Sequence, residues 1–436
     1  MKKSMFFAFA LAGGLLSSCS SDDAIESSNV AANETAGLQE IKLGIAGNSI
    51  VGTRGTGTVG GVKDPSSGEI IEGGTHSWNG QLFNVFMLNH GTIDIATFSS
   101  KTSDSPLNEN GGVIFDNAQF RAPVSGEDGY AYMENVKYYP QTGRYDFFGY
   151  YLDDAAVNNP AKGYAPNEEN TELYVNFKIN GSQDIMFAKA EPYATKSEVN
   201  AEDYTDEVYS AKTARNGIIP NLRFSHHLTR LRFNVLPEGV GIAEQIQVVG
   251  IRVKSKTTGK AIVVSVDGAS LEGNNQGIVW DETAEKEFCN LGKRDADNNI
   301  VPLVEGLDYD NIEQLTYSEI EALKASFTSL NAEGDNIIGE ALLVSPEDSY
   351  DIELILAQTV AIKQNDSFDG TEFATEVYSI PFDGVKTPSK TPFKAGHSYN
   401  VSFKVYGLQK IEIFTTLEAW EKGEDVPLDP DTYENN

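Results

Sequence analysis

The chain has 436 residues, with 64 Asp or Glu against 33 Lys or Arg and a formal net charge of −31. Such a surface repels polyanions, and no Lys/Arg cluster interleaved with aromatics offsets it, which excludes nucleic acid as a partner. With 22 Phe and 19 Tyr but 2 Cys, the chain must be held by apolar cores rather than by disulfides.

In chain order, Lys2 and Lys3 precede an apolar run from Met5 to Leu16 that ends in Leu16-Ser17-Ser18-Cys19. The run is too short for a permanent membrane helix, and a small residue before a cysteine suits lipoprotein processing. Residues 1–18 therefore read as a lipoprotein signal peptide and Cys19 as the lipidated N-terminus. Loss of the two lysines with this leader takes the net charge to −33. Ser20-Ser21-Asp22-Asp23 opens a polar stretch with too few large apolar residues to pack, so 19–39 reads as a flexible tether. Its acidic pair beside the anchor suits export to the outer face of an outer membrane.

The remaining ~400 residues exceed what one core usually supports, and two domains are expected. Period-two alternation recurs at Ile41, Leu43 and Ile45, at Leu173 to Ile179, and at Leu231, Phe233 and Val235. It continues at Ile246, Val248, Ile251 and Val253, at Ile352 to Leu356, and at Tyr399 to Val405. Turn residues such as Thr258-Gly259 and Ala395-Gly396 separate these runs, the signature of antiparallel sandwiches. The expected fold class is all-β: two tandem β-sandwich domains of Greek-key or transthyretin-like type, with a few short helices. The break is placed at Pro237-Glu238-Gly239, giving an N-terminal domain over 40–236, a C-terminal domain over 237–425 and a polar tail over 426–436. One segment predicts a helix, with Ser318 and Glu321 at capping-box spacing and Ile320, Leu323, Phe327 and Leu330 on one face. The acidic stretch 195–218 reads as a loop insertion.

Motifs for chemistry are sparse. None of His76, His90, His226, His227 and His397 lies three or four residues from another His or a Cys, so no metal is assigned. Asp295-Ala296-Asp297-Asn298-Asn299 begins like a calcium loop, but Ile300 replaces the required glycine. Neither Gly-x-Ser-x-Gly nor a P-loop occurs, so no catalytic residue, cofactor or enzyme activity is assigned. His226 and His227 adjoin an alternating strand, where one ring could be buried and the other exposed. Cys289 reads as a buried apolar thiol. Trp78, Trp280, Trp420 and runs such as Tyr145 to Tyr151 are aromatics that could stack on sugars, and the Tyr145 to Tyr151 run reads as core in preference to such a platform.

The lipobox ending in Cys19, the strand Ile41 to Val51 followed by Thr53-Arg54-Gly55, and the aromatic run Tyr145 to Tyr151 occur in a distinctive order. Asp184-Ile185-Met186-Phe187-Ala188, the segment Leu222 to Phe233, Phe393 to Val401 and a last strand ending at Trp420-Glu421-Lys422-Gly423 follow. Together they resemble the fimbrillins, lipoprotein-derived subunits of protease-assembled (type V) pili. The resemblance implies a precursor anchored in the outer membrane through lipid on Cys19, at the cell surface. It also implies an arginine-specific protease that removes the first strand, and a neighbouring pilus subunit whose extended segment fills the groove left behind. By position, Arg54 is the matching arginine, in a Gly/Thr-rich stretch suited to a protease.

The residues supply a physical basis. Ile41, Leu43, Ile45 and Val51 share one face of a first strand, and Ile411, Ile413, Leu417 and Ala419 share one face of a last, the candidate donor. Either could cover a core and satisfy a strand edge. The expected function is a structural or adhesive pilus subunit contacting other subunits and a host glycan or protein receptor. The alternatives are a monomeric glycan-binding surface lipoprotein and, with no motif behind it, a secreted hydrolase. The polar tail after Trp420 leaves stalk, tip and anchor roles equally open.

Overall fold

The computed structural model describes residues 38–45, 80–90, 113–123, 130–141, 143–153, 164–166, 172–190, 209–222, 224–265, 276–296, 299–362, 372–408 and 410–418. Cys19, Val51, Arg54 and Ala419 lie outside them. In chain order come β1 (Leu43–Gly44), β2 (Leu82–Asn89), β3 (Val113–Arg121), β4 (Tyr130–Ala131), β5 (Tyr145–Tyr151), β6 (Tyr164–Pro166), β7 (Glu172–Lys178), β8 (Met186–Lys189), α1 (Ala211–Arg215) and β9 (Ser225–His226). Next are β10 (Thr229–Pro237), α2 (Val240–Gln245), β11 (Ile246–Ser255), β12 (Thr258–Ser265), β13 (Gly277–Trp280), β14 (Glu287–Asn290), β15 (Gly292–Arg294) and β16 (Ile300–Pro302). The series ends with α3 (Tyr317–Leu323), β17 (Thr328–Ser329), β18 (Leu342–Val344), β19 (Tyr350–Ile362), β20 (Glu372–Val385), β21 (Ser398–Gly407) and β22 (Lys410–Glu418). The protein is mostly β, with few short helices.

Four larger sheets organise the chain, in the orders β3-β2-β5-β8-β9, β13-β12-β7-β6, β18-β10-β21-β22 and β14-β11-β19-β20. The first is apolar on both faces. Phe83, Val85 and Met87 of β2 and Tyr145 and Phe147 of β5 enter one cluster, whereas Phe86, Leu88, Phe148 and Tyr150 enter another. Every residue of Tyr145–Tyr151 is consequently buried. The second of these clusters is closed by Leu173, Val175 and Phe177 of β7 and by Val263 of β12, which pairs antiparallel with β7. Pro237, placed at a domain break by sequence, is the last residue of β10, and the β7–β12 ladder joins chain from either side of it.

The other two large sheets enclose a third cluster, with Leu231, Phe233 and Val235 of β10 and Val401, Phe403 and Val405 of β21 facing Ile251, Val253 and Leu354. Here β10 and β21 run parallel over eight paired residues, which departs from the antiparallel expectation. Alternation records which face is buried and is blind to strand direction, since both pairings leave one face to the core. The break in the β11 pattern, from Ile246 and Val248 to Ile251 and Val253, is a β-bulge: the register with β19 shifts between Val248 and Gly250. At the bulge Val249 turns to the opposite face and meets Tyr309, whose hydroxyl donates to the Val249 carbonyl at 3.3 Å.

Two local expectations are corrected. The helix expected from Ser318 begins earlier: Thr316 is the N-cap, its side chain accepting from Glu319 N while Glu319 reaches back, so the capping box is Thr316/Glu319. The helix also ends at Leu323, leaving Phe327 to pack from the following turn. The stretch read as a loop insertion contains α1, capped by Ser210 and Thr213, because Ser210 and Thr213 form a local box that composition alone does not reveal.

Glycine positions yield a paired prediction. A Cβ on Gly250 would lie 2.4 Å from the Tyr309 ring, whereas one on Gly241, within α2, would meet nothing within 4 Å. Gly250→Ala should destabilise the fold by about 1–3 kcal/mol through overpacking. Gly241→Ala should be neutral or stabilise by up to ~1 kcal/mol. Urea denaturation of the two variants checks both signs.

Candidate functional site: the first strand and its slot

The segment Gln39–Ile45 alternates aliphatic Ile41, Leu43 and Ile45 with Glu40, Lys42 and Gly44, and the structure puts the aliphatic set inward. Leu43 is 0 % and Ile41 5 % exposed, and Ile45 packs on the same cluster. Lys42 and Glu40 point outward, with their charged ends 4.0 Å apart. Ile41, Leu43 and Ile45 thus lie on one inward face, and Val51 falls outside the described residues.

The segment is inserted between two walls. On one side it runs antiparallel to chain at 130–139, with Leu43 opposite Ala131, Gly44 opposite Tyr130 and Glu40 opposite Tyr138. Ile41 N donates to Lys137 O and Tyr139 N donates to Gln39 O, each at 2.8 Å. On the other side Gly44 runs parallel to Asn221, donating its N–H to Pro220 O and accepting from Leu222 N, each at 2.8 Å. Withdrawal would strip both walls of these partners and uncover the cluster beneath. Burying three aliphatic side chains at ~1.5–3 kcal/mol each makes the slot strongly favour an occupant. Phe224, two residues past the second wall, packs edge-on to Phe83 at 5.2 Å, and Gly149 leaves the space it uses, since a Cβ there would be 2.9 Å from the Phe224 ring.

The wall residues Ala131, Lys137, Tyr139, Pro220 and Leu222 went unrecognised in the sequence. They lie about 90 and 180 residues from β1, and nothing local in Asn216 to Leu222 marks a strand partner.

The candidate donor strand is placed differently. β22 is paired along its length with β21 and forms the edge of its sheet. Ile411 and Ile413 are half-buried against the third cluster, but Leu417 on the same face is 63 % exposed. Thr415 lies between them, buried, with its hydroxyl donating to Lys386 O at 2.8 Å. In this chain both the first and the last strand pair internally.

Beyond the second wall the chain carries His226 and His227, both half-buried in place of the expected one in, one out. Asp184 Oδ2 accepts from His226 Nδ1 at 2.7 Å, and the His227 ring stands edge-on to Phe187 at 4.8 Å. Burial, reinforced by neighbouring His226, lowers the His227 pKa to about 4. Cys289 is buried and free, its thiol raised to about 12, chiefly by burial, and so is unreactive. Asp295 accepts from Asn299 N at 2.8 Å in the turn between β15 and β16. The described residues contain no group of three or more His, Cys, Asp or Glu arranged to hold a metal.

What the geometry defines is a mostly β protein in which the segment Gln39–Ile45 is inserted between two others. The fimbrillin-like family model matches residues 74–420, and the chain belongs to that family. It is accordingly a structural, non-catalytic protein of the fimbrial type, located at the cell surface. Similar solved structures include a candidate cell adhesion protein from Bacteroides uniformis, at 12 % identity, 89 % of this chain, 99 % of that chain and a TM-score of 0.44. A second, from Bacteroides ovatus, has 12 % identity, the same coverages and a TM-score of 0.39. The fimbrial anchor protein Mfa2 from Porphyromonas gingivalis follows at 8 % identity, 89 % and 99 % coverage and a TM-score of 0.30. Superpositions this loose carry no functional detail. No curated protein matches the chain.

Two expectations follow. Leu43→Ala should cost about 2–5 kcal/mol, because the cavity is walled by two strands and cannot collapse; a thermal melt reads it. His227 holds its proton less tightly folded than unfolded, where its pKa is about 6.5. Its neutral form therefore supports full stability above pH 6.5, and stability falls as pH drops from 6.5 towards 4. With a half-buried ring, the loss should be on the order of 1–3 kcal/mol, and His227→Phe should flatten that part of the stability–pH curve.

Proposed function

We propose that this chain is a structural or adhesive subunit of a cell-surface pilus that assembles by β-strand exchange. In this reading it is exported as an outer-membrane lipoprotein through Cys19 and trimmed after Arg54 by an arginine-specific protease. An extended segment of another subunit then occupies the slot vacated by Gln39–Ile45. The observation that carries the reading is the insertion of that segment: its backbone is bonded on both sides and its aliphatic face is buried. Family membership supports it, and the matched span, 74–420, begins beyond both the inserted segment and Arg54. Strand addition fits because a lost inner strand leaves unpaired N–H and C=O groups together with exposed core, and one extended segment repairs both. Of the aromatics behind the monomeric glycan-binding alternative, Tyr145–Tyr151 is buried throughout, Trp280 packs edge-on to Phe177, and Trp78 and Trp420 lie outside the described residues.

Incubation of the full chain with an arginine-specific protease should cut at Arg54 and produce oligomer ladders that survive SDS without heating. Arg54→Ala should stay uncut and monomeric. A wild-type chain that is cut yet stays monomeric at high concentration sinks the proposal.

A further inference from the structure

Asn-Gly pairs are the places where a chain most readily attacks its own side chain, because glycine puts no Cβ beside the nucleophilic nitrogen. The sequence has four, beginning at Asn79, Asn110, Asn180 and Asn216, and of these Asn180 and Asn216 lie within the described residues. The structure treats the two differently. Gly217 N donates to Ala214 O at 3.0 Å, just past the end of α1. Gly181 N donates to no described residue. Asn180 is exposed in the turn between β7 and β8, where Gly181 has a φ of +98° that favours glycine. Asn180 Oδ1 accepts from Ser182 N at 3.0 Å and from Ser182 Oγ at 2.8 Å. Two donors on that oxygen make Cγ more electrophilic and stabilise the negative charge that gathers on Oδ1 when a nucleophile adds.

The same turn sits on a joint. Gly181 O accepts from Leu343 N of β18 at 2.8 Å, and Ile179 N donates to Thr257 O at 2.9 Å. A Cβ on Gly181 would lie 2.7 Å from the Leu342 side chain and 2.9 Å from Cys289 Cβ. Cys289 itself is 0 % exposed. We propose that Asn180 is a site of spontaneous deamidation and that the isoaspartate formed there lifts the turn off Cys289. Gly181 N gives its proton to water or hydroxide and bonds to Asn180 Cγ, and the Cγ–Nδ2 bond breaks to release ammonia. Water then opens the resulting succinimide at one of its two carbonyls. Opening at the main-chain carbonyl routes the backbone through Cβ and Cγ, as isoaspartate; opening at the other restores the backbone, as aspartate. Isoaspartate adds one atom to the main chain beside Gly181, whose contacts with Leu342, Leu343 and Cys289 leave it no room. The reaction needs only water and proceeds whether or not the slot has exchanged its strand.

Ageing the purified full chain for weeks in mildly alkaline buffer, with peptide mapping at intervals, tests the site. Asn180 should convert about three- to tenfold faster than Asn216, whose Gly217 N must first give up a hydrogen bond. Ser182→Ala, which loses one of the two donors on Oδ1, should slow conversion of Asn180 by a similar factor. A thiol reagent should label Cys289 in the isoaspartate fraction and not in fresh protein. Asn180→Asp, which adds the charge without the extra atom, should keep Cys289 protected. Conversion of Asn216 at an equal or higher rate, or an Asn180 that stays intact, overturns the site. Isoaspartate at position 180 with Cys289 still unlabelled overturns the opening of the turn.

Discussion

The structure turns on one arrangement: a short extended segment near the start of the chain is bonded on both sides by segments that arrive from far along it. Gln39–Ile45 closes the apolar cluster of the first sheet and gives the N–H and C=O groups of Lys137, Tyr139, Pro220 and Leu222 their partners. A strand at a sheet edge could leave at the cost of one ladder. An inserted strand leaves behind two open edges and a bare core, so the remainder of the molecule strongly favours having something in that place.

The sheet behind the slot also has a second apolar face that takes no residue from the inserted segment. β2 and β5 are apolar on both faces, so one side packs on β7 and β12 whatever lies on the other. Phe86, Leu88, Phe148 and Tyr150 keep their partners without any contribution from the inserted segment. The sandwich of β10, β21, β11 and β19 has its own cluster and contributes the edge strand β22. Stability is distributed so that the first segment is valuable to one cluster and indifferent to the others.

The second wall links this slot to the middle of the chain. From Pro220 and Leu222, bonded to Gly44, the chain passes Phe224 over Gly149, pairs Ser225–His226 with β8 and enters β10. Gly396 N then bonds Leu228 O and Arg230 N bonds His397 O, so the same stretch meets the loop that leads into β21. A few residues thus belong to the slot, to the first sheet and to the sandwich.

Much was legible before any coordinates. Alternation at Leu231 to Val235, Ile352 to Leu356 and Tyr399 to Val405 marked strands and their buried faces, because the pleat sends every second side chain to one side. Ile41, Leu43 and Ile45 were readable as one apolar face for the same reason, whereas the bulge between Val248 and Gly250 was read as unbroken alternation. Strand direction, the two-faced burial of Tyr145–Tyr151, the true cap at Thr316 and helix α1 were not. The walls of the slot were beyond reach altogether. Periodicity is a local property and tells a strand which face to bury, whereas partners are chosen by packing among segments up to some 180 residues apart. The amino-acid order determined that a covering strand exists and which side of it is greasy; only the folded chain decided that it is gripped from both sides, because its partners arrive from distant stretches of chain.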